Sequence, residues 1–306
     1  MQNILIEVNL SHIRQNAAWF LSGTNAKLCA VVKANAYGHG ALQIAEALRP
    51  YASSYAVSLV DEGVALRLGG IEGDILVLTP PVDRYDVERA NAYDLILTVP
   101  DADRAALCKD ARVHLALNVG MNRYGFDQRE TLPPLRVEGI YAHFTDALPH
   151  EEQYADFMRL SEAWKKDYPN AKLHLSATKG FLHDRRYHLD MVRIGIGLYG
   201  YGAPALKPAM KVYALSVQSR RYERGGFGYF AGKKTPYVTT LRAGYGDGFF
   251  RNNRYCMDAI VKEGKFPNGM IVPLMENAEE EAARNSTIPY EILTAFGKRG
   301  TYVYKI

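Results

Sequence analysis

Leu28-Cys29-Ala30-Val31-Val32-Lys33-Ala34-Asn35-Ala36-Tyr37-Gly38-His39-Gly40 runs from an unbroken apolar stretch into a lysine and then into a loop of Gly, Asn and Tyr. Apolar residues at helical spacing follow near Ala41 to Leu48, and a second apolar run occupies Tyr55 to Leu59. A strand without polar alternation is covered on both faces, and two such strands joined through a helix form the crossover unit of a parallel sheet. The alternation continues through Ile75 to Leu78, Leu95 to Val99, Val113 to Leu117, Gly139 to His143, Lys172 to Leu175 and Val192 to Leu198. Eight such units, about 20 to 30 residues apart, predict a (β/α)8 barrel of the TIM type rather than an open doubly wound sheet.

Outside these units the pattern differs. Glu151 to Tyr168 carries Tyr154, Phe157, Met158, Ser161 and Trp164 at helical spacing until Pro169 stops it. Ahead of the barrel, Ile4 to Val8 reads as an extra strand, and Ser11 as the N-cap of a helix carrying Ile13, Ala17, Phe20 and Leu21. Beyond Pro204 and Pro208, the runs Met210 to Val217, Pro236 to Arg242 and Ile288 to Leu293 are short, β-prone and set between Gly and Pro, with a helix expected near Ala278 to Arg284. We therefore expect an α/β chain: a barrel domain over 1–205, a smaller mostly β domain over 206–306, and residues 1–9 as a strand joining the second domain.

Composition narrows the function classes. With 306 residues, 48% of them hydrophobic, the chain buries a real core and is not disordered. Its three cysteines, Cys29, Cys108 and Cys256, are far apart and form no Cys-x-x-Cys, which argues against a disulfide scaffold or structural zinc and for a reducing compartment. A net charge of +4 is too small for the basic stripe of a nucleic-acid binder. No run approaches the ~18 apolar residues of a membrane span. Met1-Gln2-Asn3-Ile4-Leu5 has no basic segment leading into an apolar one, so no signal peptide is expected. These features predict a soluble cytoplasmic protein without membrane or nucleic-acid partners.

In a barrel, chemistry gathers where strands end. Lys33 follows its strand directly. Desolvation there would favour the free amine that a Schiff base needs, although a lysine whose stem snorkels out of the strand end is the plainer reading of this segment alone. Read singly, Arg123 could be a surface arginine, His143 a core histidine and Tyr245 a structural residue among glycines.

Together these strand ends resemble, in order, the segments of alanine racemases. Lys33 to Gly40 resembles the family's pyridoxal-phosphate lysine segment, which implies that Lys33 bonds the cofactor and Tyr37 contacts its phosphate. Gly120-Met121-Asn122-Arg123-Tyr124-Gly125 resembles Gly-Met-x-Arg-x-Gly, placing Arg123 by the cofactor's phenolic oxygen and the substrate carboxylate. Ala142-His143-Phe144 resembles Thr-His-Phe, with His143 bonding a neighbouring arginine. In His174-Leu175-Ser176-Ala177-Thr178, Thr178 falls on the position of a phosphate-binding serine, with Ser176 as the fallback. Arg193-Ile194-Gly195-Ile196-Gly197-Leu198-Tyr199-Gly200 places Arg193 at the pyridine nitrogen and the amides of Gly195 and Ile196 at the phosphate. The same glycines satisfy Gly-x-Gly-x-x-Gly, but Pro204 and Pro208 stand where a dinucleotide-binding helix would begin, and no acidic residue follows until Glu223.

The second domain continues the resemblance. Gly244-Tyr245-Gly246-Asp247-Gly248 is similar to Gly-Tyr-Ala-Asp-Gly, whose tyrosine is a second catalytic base reaching the partner subunit's site. Cys256-Met257-Asp258 resembles the segment whose methionine backbone holds the substrate carboxylate, and Pro289-Tyr290-Glu291 the one whose tyrosine contacts the phosphate region and crowds the substrate side chain. The resemblance implies a homodimeric, pyridoxal-phosphate-dependent racemase in which Lys33 and Tyr245 exchange protons with L- and D-alanine, supplying D-alanine for peptidoglycan. A racemase for serine or other small amino acids, and a cofactor carrier without turnover, are the alternatives. Two departures stand out. Ala116 and Asn118 replace a lysine, often carbamylated, and an aspartate; and only Phe249 to Tyr255 separates Gly248 from Cys256, where the family carries a longer segment.

Overall fold

In a computed structural model, which describes residues 4–227, 229–232, 234–250, 258–297 and 299–306, the chain opens with strand β1 (Ile4–Asn9) and then winds a parallel barrel. Its strands are β2 (Lys27–Val31), β3 (Ser54–Val57), β4 (Asp74–Val77), β5 (Ile96–Val99), β6 (Arg112–Ala116), β7 (Arg136–Tyr141), β8 (Lys172–His174) and β9 (Met191–Ile194). They pair in the order β8-β7-β6-β5-β4-β3-β2-β9. The ring closes between its first and last members, where Asp190 N–H donates to Leu173 O and Arg193 N–H to Ser176 O. Each of the eight apolar runs thus supplies one strand of a (β/α)8 barrel. The connection from β6 to β7 is the exception to the helical crossovers. Residues 117–135 hold no helix, and a bridge between Leu117 and Phe126 pinches off a tight loop instead.

Helix Leu10–Ser22 packs on the outside, its buried Ile13, Ala17 and Phe20 facing the barrel. Its N-cap is Asn9, whose side chain accepts from His12 N–H, and not Ser11. The cap moves up because β1 runs straight into the helix without the intervening loop that a cap at Ser11 requires. Strand β1 itself lies in a second sheet, between β10 (Met210–Arg221), antiparallel to it, and the parallel strand β16 (Gly300–Lys305).

The remaining strands are the short pair β11 (Gly226–Phe227) and β12 (Phe230–Ala231), then β13 (Tyr237–Leu241), β14 (Ile260–Glu263) and β15 (Ile271–Met275). The helix expected near Ala278 is present over Ala278–Arg284. The stretch Ile288 to Leu293 is not a strand: Pro289–Ala295 is a helix with its proline at the first helical position and Ile288 extended before it. There a missing N–H costs nothing and the ring pre-sets φ, which outweighs the β preference of the two isoleucines. Among the described residues, no helix is long and apolar enough to cross a membrane.

Candidate active site

A cavity of about 800 Å³ opens at the C-terminal ends of the barrel strands, walled by Lys33, Tyr37, Arg123, His143, Thr178, Arg193, Gly195, Ile196 and Tyr290. Lys33 reaches it because the chain leaves β2 through an unusual turn. Ala34, Asn35, Ala36 and Tyr37 all lie in the left-handed region, with φ of 52°, 54°, 54° and 49°. Each L-residue there costs roughly 1–2 kcal/mol, so the turn needs outside support. Glu62 supplies part of it, one carboxylate oxygen accepting from Ala34 N–H at 2.6 Å and the other from Ser58 N–H at 2.6 Å. His39, fully buried, donates through Nδ1 to the carbonyls of Ala36 and Tyr37. The hydroxyls of Tyr302 and Tyr304, from β16, donate to Gly38 O and His39 O. The second sheet therefore clamps the turn that carries the lysine.

Lys33 Nζ has no hydrogen-bond or ion-pair partner among the described residues. Burial lowers its pKa, and the neighbouring Arg123 lowers it further, while Glu62 opposes both. The amine is thus biased toward its neutral, nucleophilic form.

Arg193 is 3% exposed and has no carboxylate partner among the described residues. Its Nη1 donates to His174 Nδ1 at 2.7 Å and His174 O at 2.9 Å, and its Nη2 to Ala142 O at 2.7 Å and Leu175 O at 3.1 Å. Four of the five N–H groups are committed to neutral acceptors. The fifth, on Nε, makes no hydrogen bond among the described residues. The guanidinium also lies over the Tyr141 ring, 5.1 Å from its centroid. His143 Nδ1 stands 3.4 Å from Nη2, a longer contact than the others; burial and then the Arg193 charge hold its ring neutral, with its pKa lowered to about 3.

Glycine shapes the next stretch of wall. A Cβ on Gly195 would sit 2.6 Å from Tyr37 Oη, so this position has to stay bare for the tyrosine to reach across. The short turn Ile196–Tyr199 begins here, and its first amides have no acceptor within the turn. Thr178 opens helix Thr178–His183 and accepts from Gly197 N–H at 3.2 Å, keeping its hydroxyl beside these amides. Ser176 is elsewhere: its hydroxyl donates to Tyr187 O at 2.7 Å in the core, off the cavity wall. Tyr290, at the start of helix Pro289–Ala295, brings its ring to 5.5 Å from that of Tyr37.

Arg123 comes from the pinched β6–β7 loop. Gly120, Asn122 and Gly125 have positive φ in that loop, and a Cβ on Gly125 would meet Asn118 N at 2.7 Å. Asn118 stitches it together, accepting from Gly120 and Asn122 N–H and donating to Asn122 Oδ1 and Asp127 Oδ1. None of these bonds reaches the Arg123 side chain, which lies over Tyr124, 4.9 Å from the ring centroid.

Tyr245 stands apart from the walls of this cavity. It begins a tight turn, Tyr245–Asp247, in which buried Asp247 accepts from Gly244 N–H at 2.8 Å and from Arg299 Nε at 3.0 Å. The tyrosine is held firmly at its backbone, yet its side chain is 65% exposed. Met257 and Cys256 lie outside the described residues. Sequence reading missed Glu62 and His174 as parts of the site. Glu62 is the third residue of its helix, Val60–Leu68, where a carboxylate can reach back to free backbone donors, and that position was its only signal.

Comparison with known proteins adds a further set of observations. The N-terminal domain of alanine racemases matches residues 8–203. Alanine racemase of Carboxydothermus hydrogenoformans is 31% identical over 374 aligned positions, covering 99% of this chain and 100% of its own. Alanine racemase 1 of Bacillus subtilis is 30% identical, covering 96% of this chain and 90% of its own. Among solved structures, alanine racemase of Clostridium difficile 630 superposes with a TM-score of 0.87 at 26% identity, over 99% of this chain and 96% of that one. The alanine racemase of Bacillus anthracis with bound L-Ala-P gives 0.88 at 25% identity, over 100% and 96%.

Proposed function

The chain belongs to the alanine racemase family and interconverts L- and D-alanine, and we propose that it does so with pyridoxal phosphate held on Lys33 and with Tyr245 supplied by a second copy of the chain. When bound, pyridoxal phosphate supplies the electron sink that makes the α-proton of an amino acid removable. The cavity has the donor set this group needs. Lys33 offers an amine of lowered pKa, and Arg193, on the cavity wall, keeps its Nε–H uncommitted among the described residues. Thr178, Gly195, Ile196, Tyr37 and Tyr290 would hold the phosphate end. The observation that carries the reading is that this amine shares a cavity with a buried guanidinium whose only spare donor among the described residues is Nε.

Racemisation takes a proton from one face of the α-carbon and returns one to the other, so each face needs its own base. Lys33 Nζ serves the D face and Tyr245 Oη the L face. Arg123 and the backbone of Met257 hold the substrate carboxylate, and His143, kept neutral, adds no charge beside Arg193. A guanidinium does not readily give up its proton, so Arg193 would donate to the ring nitrogen without protonating it, and the weaker sink would suppress competing transamination. Tyr290 narrows the space for the substrate side chain, as a methyl group requires.

The exposure of Tyr245 supports a homodimer with shared sites. The reading also takes 1–205 as the barrel domain, with its first strand lent to the β domain over 206–306. It places the enzyme in the cytoplasm, which suits the free thiols of Cys29 and Cys108, and its D-alanine product in peptidoglycan synthesis. Borohydride reduction of the cofactor-loaded protein tests the assignment of the lysine. The cofactor's mass should be fixed on the peptide containing Lys33 and be absent from Lys33→Ala; labelling of another lysine in the native protein would refute it.

A further inference from the structure

Arg193 is hydrogen-bonded inward, along the barrel axis, as well as facing the cavity. His174, fully buried, stacks on Tyr141 with centroids 5.0 Å apart, and its Nε2 lies 3.0 Å from Nδ1 of His114. A guanidinium can only donate, so His174 Nδ1 accepts from Arg193 and its single proton sits on Nε2. That proton is donated to His114 Nδ1, which leaves the His114 proton on its own Nε2. Burial keeps both rings neutral, lowering His114 to about 3 and His174 well below the ordinary range. His114 Nε2 has no protein partner among the described residues, and His114 walls a separate cavity of about 90 Å³. That cavity is at the opposite mouth of the barrel, beside Ser54, Asp74 and Lys172 at the starts of their strands.

The backbone is shaped around this contact. A Cβ on Gly139 would lie 2.7 Å from the His114 ring, and the β6–β7 ladder slips register between Val113 and His114. Glycine and an irregular ladder both weaken a strand, and here they give the imidazole its place.

We propose that His114 is a positioning residue for Arg193: by accepting from His174 it locks the His174 tautomer, and through that tautomer it aims the guanidinium at the cofactor's ring nitrogen. The inference rests on the reading of Arg193 given above. Without an acceptor at position 114, a proton on His174 Nε2 would be buried and unpaired, so it moves to Nδ1, where it opposes an Arg193 N–H donor to donor.

Two measurements on the full-length protein test this. In the first, histidine ¹⁵N shifts of the loaded enzyme report the His174 tautomer; the native protein and His114→Asn, whose Oδ1 can replace the accepting nitrogen, should show the proton on Nε2, and His114→Leu should not. A native His174 protonated on Nδ1 overturns the proposal without any variant. In the second, affinity is compared for pyridoxal phosphate and for its analogue with CH in place of the ring nitrogen. His114→Leu should weaken pyridoxal phosphate about tenfold and leave the analogue unchanged, with His114→Asn restoring affinity. An equal loss for both compounds means a purely structural role and overturns the proposal. If the native protein holds both compounds equally, the ring-nitrogen reading of Arg193 fails, while the ¹⁵N shifts still decide whether His114 sets the tautomer.

Discussion

Lys33 and Arg123 share one cavity, and the arginine charge is the second-largest influence pushing the lysine's pKa down, after burial. A cation opposes the ammonium form, so removing it lets the pKa rise again. Arg123→Gln should therefore shift the acidic limb of cofactor capture by Lys33 to higher pH, and near neutrality the fraction of free amine should fall. Rates of pyridoxal-phosphate uptake by the stripped protein, measured across pH, check this; a limb that stays put or moves down would mean that Arg123 does not bear on Lys33. Lys33 was legible in sequence because it directly follows an apolar strand, whereas Arg123 lies in the loop beyond β6 and was legible only through the resemblance of its segment. Of the partners of Arg193, only His143 was expected. The others are His174, two residues before the fallback Ser176, and three main-chain carbonyls, and carbonyl acceptors leave no trace in side-chain identity.

The decisive element is the left-handed turn between β2 and the helix Ala41–Leu48. Of its four non-glycine residues with positive φ, only Asn35 is of a type that tolerates that region, so nothing in Ala34-Asn35-Ala36-Tyr37 announces it. Gly38 and Gly40 are more informative in retrospect. Gly38 has φ of +79°, and a Cβ there would sit 2.2 Å from Leu293 O; one on Gly40 would sit 2.0 Å from the Tyr304 hydroxyl. These glycines let the second sheet and the helix Pro289–Ala295 close onto the turn. Gly38→Ala should accordingly lose about 2 kcal/mol or more in urea unfolding, with weaker cofactor retention, because strain and a backbone clash add. A loss below half of that would show that the turn yields easily. The helix Pro289–Ala295 was misread as a strand for a related reason: isolated β-branched residues speak for extended chain, and only the position of Pro289 spoke against it.

At the scale of the molecule, the barrel was legible because its eight apolar runs are short, evenly spaced and unbroken. The second sheet was harder to see, since β15 carries a proline, β16 alternates in burial, and the partners of both, β10 and β1, lie far away in sequence. The alignment with the Carboxydothermus hydrogenoformans relative runs over 374 positions, more than the 306 residues present, so the relative carries segments that this chain lacks. In the proposed function, Tyr245 reaches Lys33 of a second subunit. Mixing two inactive variants, Lys33→Ala and Tyr245→Phe, tests it in one assay of L-alanine conversion to D-alanine. Each parent should fall about a hundredfold or more below the native protein. After subunit exchange, half of the two-fold dimers hold one intact site, made of Lys33 from one chain and Tyr245 from the other, so activity should recover to about one quarter of native. A mixture that stays at the level of its parents, or a Tyr245→Phe protein as active as the native one, would contradict the account.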